Sequence, residues 1–131
     1  MACLDTTFLI DVADGASKAL SVWEDLLGEE APIATTFLNV GEMEVGLLQR
    51  GNPEPERAAL EEFLSEIAVL WPSFETPHMY ASMVASAMRR GKRPSIVDAW
   101  IAAIALSNGH PVIITRDKGF AGLEGVTVRR Y

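Results

Sequence analysis

Residues 94–115 read PSIVDAWIAAIALSNGHPVIIT. Ser95 is a helix-capping residue, and the eleven residues from Ile96 to Leu106 are all apolar except Asp98. Asn108-Gly109 supplies a turn that ends such a helix, and Pro111 to Thr115 is a short β-branched run. A helix that is apolar on every side is a buried one. When it feeds a short apolar strand, the pair forms the unit from which parallel α/β sheets are built, each crossover covering one face of the sheet.

The same alternation runs through the rest of the chain. Ala2 to Leu4 is a short apolar start, followed by Asp5-Thr6-Thr7, which can cap a helix beginning near Phe8. A second helix fits Ser17 to Leu27 and closes at Gly28, and Pro32 to Thr35 reads as a buried strand. Thr36 then caps a helix from Phe37 to Arg50 that stops at Gly51. Further helices fit Glu56 to Glu66 and Phe74 to Arg90, with a strand from Ile67 to Trp71 between them and a last strand from Val126 to Arg129. The pattern predicts a three-layer α/β sandwich around a central, mainly parallel sheet of four to five short strands. No repeat or linker divides the 131 residues, so one domain over 1–131 is expected. Two helices, Phe74 to Arg90 and Ser95 to Asn108, share one connection, so one must lie obliquely, and the sequence leaves open which.

Composition narrows the function classes. The longest wholly apolar run, Ala99 to Leu106, falls well short of the roughly 18 residues needed to span a bilayer, and the opening MACLDTTFLID lacks the basic stretch of a secretory signal. A soluble, cytoplasmic protein without a membrane partner is expected. The single cysteine, Cys3, suits a reducing compartment and a core role. A net charge of −7, from 18 acidic and 11 basic side chains, argues against indiscriminate affinity for nucleic acid.

In open parallel sheets, ligands bind beyond the carboxyl ends of the strands. Four acids fall at that edge: Asp5 after the first strand, Glu42 in the second turn of the helix after the second, Asp98 opening the helix before the fourth, and Asp117 just past the fourth. Each also has a plain structural reading. Ser95-x-x-Asp98 has the spacing of a capping box, Asp5 can cap a helix, and Asp117-Lys118-Gly119 can be a turn. Glu44 projects nearer than Glu42 to the middle of the apolar arc of Phe37, Val40, Leu47 and Leu48, so spacing does not choose between them.

The joint arrangement favours chemistry. Asp98 lies in an otherwise apolar helix with no cation in it, and two carboxylates about 4 Å apart repel by about 4 kcal/mol at an effective dielectric near 20. Converging carboxylates are protonated, splayed or neutralised by a bound cation. Oxygen-only donors select a hard ion such as Mg²⁺ or Mn²⁺. A zinc site has no matching Cys/His spacing, and His78 and His110 read as surface or turn residues.

Four stretches together, LDTTFLID (4–11), TFLNVGEMEVG (36–46), IVDAWIAAIALSNG (96–109) and VIITRDKGFAGLEGVTV (112–128), resemble the PIN-domain nucleases, in particular the VapC-type toxins of toxin–antitoxin pairs. The likeness runs nearly end to end. It places the family's acidic residues on Asp5, Glu42, Asp98 and Asp117, choosing Glu42 over Glu44 through the following Met43 and Gly46. Thr115 matches the hydroxyl residue beside the last aspartate, and Thr6 or Thr7 the one after the first; these would orient the carboxylates. The resemblance implies an endoribonuclease dependent on one or two Mg²⁺ or Mn²⁺ ions, held by Asp5, Asp98 and Asp117, with Glu42 acting through water or as proton acceptor. One departure is Gly119, where many relatives carry a further acidic residue.

Basic residues are segregated. Arg89, Arg90, Lys92 and Arg93 form one cluster, and Arg116 and Lys118, with Arg129 and Arg130 beyond them, form another; these are candidate RNA contacts, although the first also sits where cations complement a helix C-terminus. Phe37, Leu38, Val40, Met43, Val45, Leu47 and Leu48 spread over a wide arc of one helix, which ordinary burial or a partner surface explains. The resemblance implies a homodimer and a cognate VapB-type antitoxin covering such a groove. Trp23, Trp71 and Trp100 read as core.

Two other acidic-edge architectures fit less well. A receiver module wants a phospho-accepting aspartate after the third strand, where this chain has Trp71-Pro72-Ser73, and a haloacid-dehalogenase-type phosphotransferase wants Asp-x-Asp where it has Asp5-Thr6-Thr7. The stronger alternative is a PIN-like module that binds RNA or protein without cleaving.

Overall fold

The computed structural model describes residues 1–131. Five short strands, β1 (Ala2–Leu4), β2 (Ile33–Thr36), β3 (Ala68–Leu70), β4 (Val112–Ile114) and β5 (Thr127–Arg129), form one sheet in the order β3-β2-β1-β4-β5. Every neighbouring pair is parallel. The helices are α1 (Thr6–Ala13), α2 (Ser17–Gly28), α3 (Phe37–Gln49), α4 (Glu54–Ser65), α5 (Thr76–Arg89) and α6 (Ile96–Ser107), and a single 3-10 turn covers Lys118–Phe120.

Alternation along the strands assigns the layers. Cys3 and Ile113, paired across β1 and β4, point to one face and pack with Met83 of α5 and Ile101, Ala102 and Ala105 of α6. Ala2, Leu4 and Ile114 point to the other face, against Phe8 and Leu9 of α1 and Ala19 and Leu26 of α2. Met43 packs into this second layer and Leu38 into the first, so α3 bridges the two at the sheet's end.

The strand order creates the position that matters. The chain steps outward from β1 to β2 to β3, then returns across the sheet to β4 on the other side of β1. The reversal makes the carboxyl ends of β1 and β4 a topological switch point, where adjoining connections diverge and leave a crevice.

The structure differs from sequence expectation at several places. The helix after β1 begins at Thr6, not Phe8, and Asp5 occupies its N-cap position without a side-chain capping bond. The helix of Asp98 is not buried on every side. Because α6 feeds a strand parallel to its neighbours, its first turn stands at the carboxyl edge, where Ile96 and Val97 are exposed and only Ala99 and the stretch from Ile101 to Ala105 are fully enclosed. Trp71 is 63% exposed, since it lies just past the edge strand β3 and stacks flat on Phe37 at 4.8 Å. Trp23 and Trp100 are half-buried, tilted on Phe63 and stacked on Tyr80 respectively. His78 is exposed, but His110 is 7% exposed: after the left-handed Gly109 the chain folds back, and the His110 amide bonds to the Ala105 carbonyl at 2.9 Å. No helix is long and apolar enough to cross a membrane.

Candidate active site

Asp5 lies at the end of β1, 5% exposed, with its amide bonded to the Ile114 carbonyl of β4 at 3.1 Å. Its carboxylate does not cap α1. Three side chains hold it instead: Thr115 Oγ1 donates to Oδ2 at 2.7 Å, Thr7 Oγ1 donates to Oδ2 at 3.1 Å, and Asn39 Nδ2 donates to Oδ1 at 3.1 Å. A buried carboxylate must be held by such donors or it is too costly to desolvate.

Thr115 ties this residue to the next. Its Oγ1 accepts from the Asp117 amide at 2.9 Å while donating to Asp5, so one hydroxyl sets the spacing between two acids. Asp117 is exposed, and its Oδ1 accepts from the Gly119 amide at 2.9 Å, closing the turn that its sequence suggested.

Asn39 was not singled out by sequence reading, yet it is the hub of the buried polar network. It is fully buried on α3 and receives Thr36 Oγ1 at 2.7 Å, while its Nδ2 reaches Thr6 Oγ1 at 3.0 Å as well as Asp5. Thr36 and Asn39 form a reciprocal capping box, with Asn in the place usually taken by Glu or Gln. The T-x-x-N spacing at 36–39 was the available signal; what it could not reveal was that the amide's other end points at Asp5.

Glu42 follows Asn39 by three residues, on the same side of α3. Its carboxyl is raised above the ordinary range, first by desolvation, then by Asp5 and Asp117, with the Thr6 hydroxyl acting in the opposite sense. Glu44 faces elsewhere and pairs with Arg57 of α4, Nη1 to Oε1 at 3.0 Å. Asp98 is half-buried, and its amide bonds Ser95 Oγ at 3.4 Å, so the capping bond uses its backbone and leaves the carboxylate free. Desolvation, then Asp117, Asp5 and Glu42, push that carboxyl up to about 6.

The four acids therefore meet electrostatically at the switch point. Gly119 lies among them: a Cβ there would collide with Asp98 Oδ2 and stand 3.5 Å from Asp117 Oδ1. No three acidic, histidine or cysteine side chains stand at metal-ligating spacing. The arrangement is the splay that uncompensated like charges adopt, and its donors, all oxygens, have the chemistry of a hard divalent cation's ligands. Among the basic residues, Arg116 donates to Asp11 at 2.7 Å, Arg129 pairs with Asp25 and Glu29, Arg130 bonds the Arg116 carbonyl, Arg90 bonds the Gly122 carbonyl at 2.7 Å, and Arg89 ends α5. Lys92, Arg93 and Lys118 flank the acidic rim.

A groove of about 430 Å³ lies between α1, α3 and α4, lined by Leu9, Val12, Met43, Leu47, Leu60 and Phe63. Val45 and Leu48 of the wide apolar arc are exposed beyond it.

Comparison with known proteins gives the family. The PIN domain model matches residues 2–126. Ribonuclease VapC5 of Mycobacterium tuberculosis is 34% identical over 95 residues, covering 71% of this chain and 70% of the relative. Among solved structures, VapBC-5 of Mycobacterium tuberculosis, from the VapBC family of toxin–antitoxin systems, superposes with a TM-score of 0.72 at 28% identity, covering 99% of this chain and 98% of that one. VapBC2 of Rickettsia felis, bound to a promoter DNA fragment, gives 0.85 at 18% identity, with 99% and 98% covered. With the sheet order, the switch-point acids and these likenesses in agreement, the chain belongs to the PIN domain family.

Proposed function

We propose that this protein is a VapC-type toxin, a cytoplasmic ribonuclease acting as one PIN-like domain over residues 1–131 and using Mg²⁺ or Mn²⁺ to hydrolyse RNA phosphodiester bonds. The observation that carries the reading is the group of Asp5, Glu42, Asp98 and Asp117 at the switch point, each without a cation partner, while Arg57, Arg116 and Arg129 pair with acids elsewhere. Asp5, Asp98 and Asp117 would hold one or two ions. When bound, the ion polarises the scissile phosphate, lowers the pKa of a water molecule and stabilises charge on the leaving oxygen.

The chain's own residues supply the rest. Thr115, Thr7 and Asn39 fix the Asp5 carboxylate, and Thr115 also fixes the Asp117 backbone, so the rim is oriented before substrate arrives. Glu42, raised by desolvation and then by its acidic neighbours, is suited to accept the proton of the attacking water at its carboxylate. The water oxygen bonds to phosphorus as its proton passes to Glu42, the bond from phosphorus to the leaving ribose oxygen breaks, and that oxygen takes up a proton from bulk water. Lys92, Arg93 and Lys118 lie where the substrate's flanking backbone would pass.

The apolar groove of α1, α3 and α4 would receive a VapB-type antitoxin, in keeping with the VapBC-5 system to which the chain is similar, and a homodimer is part of the same reading. The decisive experiment measures cleavage of single-stranded RNA with Mg²⁺ or Mn²⁺, with and without EDTA, by wild type and Asp98→Asn. Metal-dependent cleavage that falls on the order of 10³-fold in the variant is expected, the scale for losing a group that stabilises transition-state charge. Metal-independent activity, or an unimpaired variant, would return the chain to a module that binds without cleaving.

A further inference from the structure

A pocket of about 210 Å³ opens between the end of α5, the Lys92–Ser95 loop and the 3-10 turn after β4. Three of its lining side chains, Lys92, Arg93 and Lys118, are cationic, and none of them has an ion pair or a side-chain hydrogen bond. In a chain of net charge −7, three unpaired cations converging on one concavity run against the composition. The wall is fixed: Arg90 Nη2 donates to the Gly122 carbonyl at 2.7 Å, and Gly122, in the left-handed region at φ +84, lets the backbone pass beside Lys92, where a Cβ would stand 3.4 Å from Nζ.

The pocket does not stand apart from the acidic rim. Gly119 lines it and is also the residue whose missing Cβ would collide with Asp98 and abut Asp117. One residue's width separates a group of carboxylates from a group of ammonium and guanidinium ions, and that residue carries no side chain to block the way. A polyanion presenting phosphates at regular intervals meets both groups at once, one phosphate over the carboxylates and its neighbour in the pocket.

We propose that this pocket is a phosphate subsite in which Lys92, Arg93 and Lys118 hold the backbone phosphate adjoining the scissile one, with the single strand crossing at Gly119. The subsite rests on the nuclease reading for its role but is tested by binding alone. Fluorescence anisotropy with a labelled single-stranded RNA, in EDTA, compares wild type, the Lys92→Ala/Lys118→Ala double variant and Lys18→Ala, which lies on α2 on the other face of the sheet. The double variant should bind about tenfold or more weakly, and its plot of log affinity against log salt should be shallower by about 0.7 for each phosphate that the protein no longer neutralises. Lys18→Ala should match wild type. Inorganic phosphate at matched ionic strength should displace RNA from wild type better than chloride does, and should lose that advantage in the double variant.

Unchanged affinity and slope in the double variant, an equal loss in Lys18→Ala, or no RNA binding by wild type would overturn the subsite. Inorganic phosphate binding, read by calorimetry, that the double variant abolishes while its RNA affinity stays unchanged would assign the pocket to the free ion and overturn the subsite. A protein that binds RNA through this pocket yet never cleaves it would sink the nuclease reading and leave the subsite standing, whereas cleavage with binding indifferent to Lys92 and Lys118 would sink the subsite alone.

Discussion

Glu42 and Glu44 stand two residues apart on α3 and meet opposite surroundings. Glu44 is gripped by Arg57, and that hydrogen-bonded pairing holds its carboxyl below the usual range. Glu42 faces Asp5 and Asp117 with no cation and is raised. The contrast repeats at larger scale: Asp11 is lowered by hydrogen bonds from Arg116 and Tyr131, each at 2.7 Å, while Asp98, at the rim, is pushed up to about 6. The chain thus has arginines within reach of its acids and pairs them around the rim instead of in it. Carboxylates kept together without a partner weaken the fold, and that cost makes sense where a cation arrives from outside.

Asn39→Ala should sharpen the contrast most among changes outside the four acids. Removing the amide that steadies Asp5 should lower Mn²⁺ affinity by roughly 10–100-fold, read by titration calorimetry, the scale for groups that orient metal ligands. Affinity equal to wild type would mean that the hub serves the capping box alone.

Millimolar Mn²⁺ should raise the melting temperature of wild type by several degrees, because a ligand at 100 times its Kd stabilises the native state by about 2.7 kcal/mol. Asp5→Asn should show little of this rise. Equal rises in both proteins would place the ion away from the rim and break the comparison.

The apo protein should also reveal through pH the cost of desolvating Asp98 beside the other acids. Asp98 titrates near 6 when folded against an ordinary 3.8, so between those values the native chain holds the extra proton and stability from this group falls as pH rises. Asp98→Asn escapes that loss. Its apo melting temperature should exceed that of wild type above pH 6 and approach it toward pH 4, while the stability that Asp11 loses on acidification is common to both and cancels in the difference. A gap independent of pH would refute the raised carboxyl.

The smallest effect belongs to the paired acid. Glu44→Gln should leave RNA cleavage unchanged, since this carboxylate is already satisfied by the half-buried Arg57, away from the rim. A loss comparable to that of Glu42→Gln, measured side by side, would show that position on the helix does not separate the two roles.

Much of this was legible in the residues themselves. The apolar run from Ala99 to Leu106 and the strand after it identify a buried crossover, because period and composition are local properties. Resemblance then selected Glu42 where helical phase could not, and the Arg57 pairing of Glu44 shows why phase did not decide: a glutamate on the apolar side can be satisfied by an arginine from another helix. Asn39 went unread for a related reason. Its capping role is visible three residues after Thr36, but its bond to Asp5 spans 34 positions of sequence. His110 and Trp71 were misjudged because burial depends on which strand lies at the edge and how a turn folds back.

The sequence by itself determined the alternation of strands and helices, the acids that fall at the carboxyl edge, and the family, since these depend on side-chain type and spacing along the chain. Only the tertiary structure decided that β1 and β4 adjoin at the reversal of strand order, that Arg57 and Arg116 pair with acids outside the rim, and that Gly119 joins acid to base. Those are relations between residues far apart in the chain, and they are settled by packing, in which each side chain's neighbours are fixed by the whole fold.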